Sequence, residues 1–198
     1  MSIQTRATQS AEAASNREPA ARPAETLSRL PPDMIPALRS DHAGETGAVL
    51  IYAGILALSR DPEVLEFARH HLDTEQRHLE LMERVVMPEH RSRLLPVWRL
   101  AGWLTGALPA LFGARAVYRT IEAVESFVDG HYAEQIEVLR GRPEHRELYE
   151  ILVSCRSDEL AHRDDARGRL GQPGAIGRTW TALVDIGSRA GVFLAGRF

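Results

Sequence analysis

Four glutamates constrain this chain more than any other feature. Each stands inside a stripe of mostly apolar residues that recurs at helical spacing. Residues three and four apart share one face of a helix. One such stripe runs Leu38, Asp41, Glu45, Ala48 or Val49, Tyr52 and Leu56, and a second runs Leu65, Ala68, Leu72, Glu75, Leu79 and Met82. The third is Tyr118, Ile121, Glu125, Val128, Tyr132 and Leu139; the fourth is Leu148, Leu152, Cys155, Glu159, His162 and Ala166. Apolar stripes must be covered, and a lone buried carboxylate costs on the order of several kcal/mol even after relaxation. Four of them facing one another would cost more, unless cations neutralise them. Two divalent metals bring four positive charges to four carboxylates.

Two of the glutamates are followed three residues on by histidine, Glu75 by His78 and Glu159 by His162. On a helix that spacing sends both side chains to one side, within reach of one metal cluster. A single Glu-x-x-His is a weak signal. The order carries the weight: Glu, Glu-x-x-His, then Glu, Glu-x-x-His, on four helices in turn. That is the layout of ferritin-like di-iron carboxylate bundles. Oxygen-rich ligation with two imidazoles suits iron or manganese better than zinc.

The expected fold is therefore all-α, a ferritin-like four-helix bundle with a long crossover and extra apolar interfacial helices. The spacing predicts helices from about Asp33 to Leu58, from Pro62 to about Val86, from about Arg115 to Arg140, and from Pro143 to about Leu170. Asp61 is a good N-cap with Pro62 at the first helical position. Nothing alternates long enough to suggest a sheet. Residues 1–30, rich in Ala, Arg, Ser, Glu and Pro, read as a disordered tail; 31–178 form the bundle, and 179–198 an apolar C-terminal segment. No apolar core of a secretory signal precedes them, and Glu12, Glu18 and Glu25 speak against a mitochondrial presequence.

The crossover, about 94–117, holds the uncharged run LAGWLTGALPALFGA at 100–114. At 15 residues it is too short to span a bilayer, which takes about 20. Arginines flank it, Trp98 and Trp103 sit at its near end, and the C-terminal segment repeats the theme with Trp180, Leu183, Ile186 and Phe193. Both suit a membrane interface; the alternative is a core helix or a dimer interface. A net charge of −3 gives no basic face for nucleic acid. One cysteine among 198 residues excludes an internal disulfide framework and fits a reducing compartment.

LRSDHAGETGAVLIYAG (38–54), TEQRHL (74–79), AVESFVDGHYAEQI (123–136) and DELAHRD (158–164) resemble the demethoxyubiquinone hydroxylase family of ubiquinone biosynthesis. The resemblance implies a non-haem di-iron monooxygenase that hydroxylates the ring of 5-demethoxyubiquinol, with two iron ions as cofactor. It implies Glu45, Glu75, His78, Glu125, Glu159 and His162 as the metal-ligating and catalytic set. Glu75 and Glu159 would bridge, Glu45 and His78 would complete one site, and Glu125 and His162 the other. Implied partners are a polyprenylated quinone, dioxygen, and electrons from NADH directly, through a reductase or through the quinol. The implied location is the periphery of the bacterial inner membrane on its cytoplasmic face, or the matrix side of the mitochondrial inner membrane. Tail length, oligomeric state and association with other ubiquinone-biosynthesis proteins stay open.

Around that set, Glu122 is the rival to Glu125, and His71, Asp41 and Asp158 are candidates to support the ligands. Tyr52 and Tyr132 read as core residues with a hydroxyl partner, and Cys155 as a small buried hydrophobe. The competing functions are a ferritin-like iron-storage or peroxide-reducing protein, a lipid-binding bundle with structural acids, and a tRNA hydroxylase.

Overall fold

In the computed structural model, residues 30–172 and 174–198 are described, and all their regular structure is helical. The tail expected over 1–30 lies, except for Leu30, outside the described residues. Six α-helices follow: α1 Ile35–Leu58, α2 Pro62–Val85, α3 Leu95–Ala110, α4 Ala114–Leu139, α5 Arg146–Gly168 and α6 Ala175–Arg197.

The breaks have local causes. Asp61 caps α2, its Oδ1 accepting from the backbone N–H of Glu63 at 2.9 Å and of Val64 at 3.5 Å, with Pro62 next. Gly113, with φ of 91°, turns the chain between α3 and α4 in a conformation that side chains disfavour. Pro143 does not open the fourth bundle helix as the spacing predicts. It starts a 3₁₀ turn, Pro143–His145, and α5 begins only at Arg146, because His145 leaves helical geometry (φ −111°, ψ 26°).

Helices α1, α2, α4 and α5 form the bundle, and its core has two apolar ends. At one end Leu38 from α1, Met82 and Val85 from α2, Tyr132 and Leu139 from α4, and Leu152 from α5 pack together. At the other, Ile55, Phe67, Ile121 and Ala166 meet, one from each helix. The four glutamates of the stripes fall between these clusters along every helix. The expected stripes hold on α5 residue by residue. On α2 the buried face is shifted: Val64, Phe67, His71 and His78 are inside, whereas Leu65, Leu72 and Leu79 are only half-buried. Hydrophobicity alone sends the two histidines outward; the polar centre of the bundle draws them in.

The crossover is itself a helix. α3 lies along α1, and glycines let the two backbones meet. A Cβ on Gly102 would stand 2.5 Å from Gly47 O, and one on Gly106 would run into Ile51 O. α6 packs on α1 and α4. Trp180 Nε1 donates to Thr120 Oγ1 at 2.8 Å, and Gly191 takes the ring of Trp98. Arg39 bridges to His90 O and Gly196 O at 2.7 and 3.1 Å. Both added helices bury small residues, Gly102, Gly106 and Ala107 on α3 and Gly191 and Ala195 on α6, and turn large apolar ones outward.

Gly106→Ala should therefore lower stability by about 1–3 kcal/mol through overpacking. Gly130→Ala, mid-helix with nothing within 4 Å of the new methyl, should raise it by about 0.5–1 kcal/mol. Denaturant titration of the two variants checks the pair; equal effects would mean α3 does not seat against α1 at these glycines.

Candidate metal centre

Each bundle helix delivers its predicted side chain to one point. Glu45 on α1, Glu75 and His78 on α2, Glu125 on α4, and Glu159 and His162 on α5 are all at most 4% exposed. They form two groups whose ligand atoms lie within 4.8 Å of one another: Glu45, Glu75, His78 and Glu159; and Glu75, Glu125, Glu159 and His162. Glu75 and Glu159 belong to both. The imidazoles cross between the halves. His78 Nδ1 is 3.0 Å from Glu159 Oε1, 3.8 Å from Glu45 Oε2 and 3.9 Å from Glu75 Oε2. His162 Nδ1 is 2.9 Å from Glu75 Oε1 and 3.5 Å from Glu159 Oε2.

Apart from the hydrogen bond between His78 Nδ1 and Glu159 Oε1, these atoms converge without pairing one another off. Both oxygens of Glu75, Glu45 Oε2 and His162 Nδ1 are buried and have no hydrogen-bond partner among the described residues. The approach of His162 to Glu75 is close in distance but lacks hydrogen-bond geometry. Buried polar atoms are almost always satisfied. Acceptor atoms aimed at a shared point and left without donors fit a cation there, and each group of three oxygens and one nitrogen could hold one.

The charges conflict in the bare site. Burial pushes the Glu75 and Glu125 carboxyls well up, and the Glu159 charge adds to it. Burial and Glu159 raise Glu45 to about 7. Burial would raise Glu159 too, but the imidazoles of His162 and His78 beside it outweigh it and hold that carboxyl at about 2. Burial disfavours protonated His78, yet its bond to Glu159 and the nearby carboxylates lift it to about 10.

Neighbours fix the set. Tyr132 Oη donates to Glu45 Oε1 at 2.5 Å, and Tyr52 Oη donates to Glu125 Oε1 at 3.4 Å. Asp158 Oδ2 stands 3.1 Å from His78 Nε2, which orients the ring with Nδ1 facing inward. His71 packs its ring on His162, centroids 4.3 Å apart, and its Nε2 meets Asp165 Oδ2 at 3.0 Å. Glu122 is turned aside, accepting from Arg119 Nη1 at 2.7 Å and Arg167 Nε at 3.0 Å. Cys155 is buried in the apolar end. Asp41 supports no ligand histidine; it binds Gln135 and His131 on α4. The sequence contained those two residues in its HYAEQ stretch, but hydrophobic periodicity gave them no role.

A cavity of about 410 Å³ opens on this centre. Glu45, Glu125 and Glu159 lie at its inner end, and Trp98, Leu104, Trp180 and Val184 of α3 and α6 line its apolar wall.

Comparison with known proteins gives one answer. The family model for ubiquinone biosynthesis protein COQ7 matches residues 33–195. The chain is 39% identical over 146 residues to the 3-demethoxyubiquinol 3-hydroxylase of Rhodospirillum rubrum, covering 69% of this chain and 68% of the relative. It is 37% identical over 131 residues to the mitochondrial NADPH-dependent 3-demethoxyubiquinone 3-hydroxylase of Caenorhabditis elegans, covering 64% and 70%. The human protein of that name is 31% identical over 178 residues, covering 87% and 81%.

The proton balance of the centre sets its pH dependence. Glu45, raised from 4.5 to about 7, stabilises the fold fully below its ordinary value and ceases to as pH climbs through 7. His78, raised from 6.5 to about 10, contributes below 6.5 and is lost toward 10. Glu159, lowered to about 2, contributes at every pH above its ordinary 4.5 and is lost only as pH falls toward 2. Metal-free protein should thus lose thermal stability from about pH 5 to about pH 9. A bound divalent ion needs the same groups deprotonated, so the rise in Tm on adding manganese should grow over that range. Melting curves with chelator and with manganese test this; a metal increment that shrinks as pH rises would contradict it.

Proposed function

The chain belongs to the COQ7 family of ubiquinone biosynthesis proteins, and from that premise we propose that it is a demethoxyubiquinol hydroxylase working through a pair of iron ions. The observation that carries the reading is the pair of four-residue groups sharing Glu75 and Glu159 at the inner end of an apolar cavity. Glu75 and Glu159 would bridge the ions, with Glu45 and His78 completing one site and Glu125 and His162 the other. Held there, such a pair supplies dioxygen activation and transfer of one oxygen atom to the ring.

The protein's own residues do the rest. Asp158 keeps the His78 ring in the orientation that presents Nδ1. Tyr132 and Tyr52 restrain the carboxylates of Glu45 and Glu125, one from each half of the bundle. The apolar wall of the cavity accepts a benzoquinone-sized ring and limits water around the carboxylates. An iron-storage or peroxide-reducing protein has no use for such a wall.

Electrons reach the reaction from a nicotinamide donor. The animal relatives are named NADPH-dependent, which favours that nucleotide over the NADH expected from the sequence. Peripheral membrane association is supported by the outer faces of α3 and α6: Leu100 is 62% exposed, Phe112 just beyond α3 81%, and Ile186 62%. No described helix is long and apolar enough to cross a membrane. A polyprenyl tail could then stay in lipid while its ring enters between α3 and α6. The location is accordingly the cytoplasmic face of a bacterial inner membrane or the matrix face of a mitochondrial one; animal relatives are named mitochondrial.

Two experiments test this. Glu159→Ala, which alters both four-residue groups, should abolish iron loading and hydroxylation together. The readouts are metal content and a product about 16 mass units heavier than a demethoxyquinol supplied with reductant and oxygen. An iron-free yet fully active variant would end the metal assignment. Replacing Leu100, Leu111 and Phe112 by serine leaves the packed side of α3 untouched and should lower flotation with liposomes by more than about tenfold. Unchanged flotation would remove the membrane proposal.

A further inference from the structure

Asp41 lies one turn before Glu45 on α1, its side chain 1% exposed, and it belongs to neither four-residue group. Its two oxygens differ in their surroundings. Oδ1 accepts from Gln135 Nε2 at 2.8 Å and stands 2.9 Å from His131 Nε2. Oδ2 is buried and has no partner among the described residues. His131 is itself held in place. Its Nε2 is 3.1 Å from Ser40 Oγ, whose hydroxyl donates to Ala37 O at 2.6 Å, and its ring stacks on Phe127. Ser40 therefore meets His131 as an acceptor, and Nε2 is the nitrogen that carries a proton.

Ser40, Asp41 and His131 line the same cavity that ends on Glu45, Glu125 and Glu159. A buried carboxylate oxygen without a donor marks a place where a donor belongs. The rest of the wall is mainly apolar, so that donor is best supplied by what the cavity binds. Quinol and quinone rings share an outline but differ here: the quinol carries two O–H donors, the quinone only C=O acceptors.

Resting on the hydroxylase reading, we propose that Asp41 is a positioning residue: pinned through Oδ1 by Gln135 and His131, it accepts a ring hydroxyl at Oδ2 and selects the quinol over the quinone. A quinone oxygen at that place would set lone pairs against a carboxylate. One helical turn, about 5.4 Å, separates Asp41 from Glu45 along α1. That is close to the span of a substituted ring. A ring anchored by one hydroxyl at Asp41 thus reaches the carboxylates with its unsubstituted edge.

The pinning makes a sharp test. In Asp41→Asn, the amide oxygen should take the place of Oδ1, where two donors await it, and the NH₂ should stand where Oδ2 stood. An acceptor becomes a donor with little change of shape. Equilibrium dialysis of the full chain under nitrogen, loaded with manganese so that neither ring reacts, would compare methoxyhydroquinone with methoxybenzoquinone. Wild type should bind the hydroquinone at least about tenfold more tightly, as expected for a hydrogen bond to a charged group. Asp41→Asn should shift that ratio by about tenfold or more toward the quinone, with manganese content unchanged. Equal affinity of the two rings for wild type, or an unshifted ratio in the folded variant, overturns the role of Asp41 alone. If neither ring binds, the proposal falls together with the hydroxylase reading. The wild-type ratio decides even if the variant does not fold.

Discussion

Acids gathered where water is excluded dominate the energetics of this protein. Four carboxylates and two imidazoles share a volume in which the bare site has no consistent charge state: Glu159 is held ionised while Glu75 and Glu125 are driven toward the neutral form. The fold carries that cost because both ends of the bundle are apolar and well packed. Bundle helices of 23 to 26 residues are long enough to close the core above and below the centre. Their length reflects the need to keep a polar middle dry.

The two halves of the bundle are related by a repeated pattern. Tyrosine follows the terminal glutamate by seven positions on α1 (Glu45, Tyr52) and on α4 (Glu125, Tyr132). Each tyrosine reaches across to the glutamate of the other half. The halves then diverge around this shared frame. Asp41 stands four positions before Glu45, where the other half has Ile121 before Glu125; His71 precedes Glu75 where Cys155 precedes Glu159. Asp41 faces the apolar cavity with His131, whereas His71 and Asp165 lie beside His162. The four glutamates and two histidines repeat and their surroundings do not, which gives an otherwise symmetric cluster an apolar cavity side and a polar side.

Reading the sequence located the glutamates because burial leaves a periodic trace, and a charged residue inside that trace is conspicuous. It read α5 well for the same reason. It misplaced the apolar face of α2, where Val64 and Phe67 are inside and Leu65, Leu72 and Leu79 only half-buried, although it placed His78 beside Glu75. It gave no role to His131 and Gln135, whose place is set by a hydrogen bond to a helix 94 residues away from Gln135. The seating of α3 was equally hidden. Gly54, Gly102 and Gly106 look like helix-weakening residues in sequence, and only the contact between two backbones shows why they are small. Features encoded along one helix face were legible; those that depend on two distant segments meeting were not.

α3 and α6 add an apolar cavity to the bundle, and under the proposed function that cavity would receive a lipid-soluble ring. Their small residues, Gly102 and Gly106 on one and Gly191 and Ala195 on the other, pack against the protein, Trp98, Leu104, Trp180 and Val184 line the cavity, and Val97, Leu100 and Ile186 face out. The small residues leave room for a cavity whose walls are mainly apolar and whose lining includes Glu45, Glu125 and Glu159. A helix pair with its bulk turned inward would fill that space and leave the acids sealed. Small residues on the inner side are thus what leaves an apolar cavity over the buried charged centre, and the glycines that weaken α3 as an isolated helix are the condition for its close seating on α1.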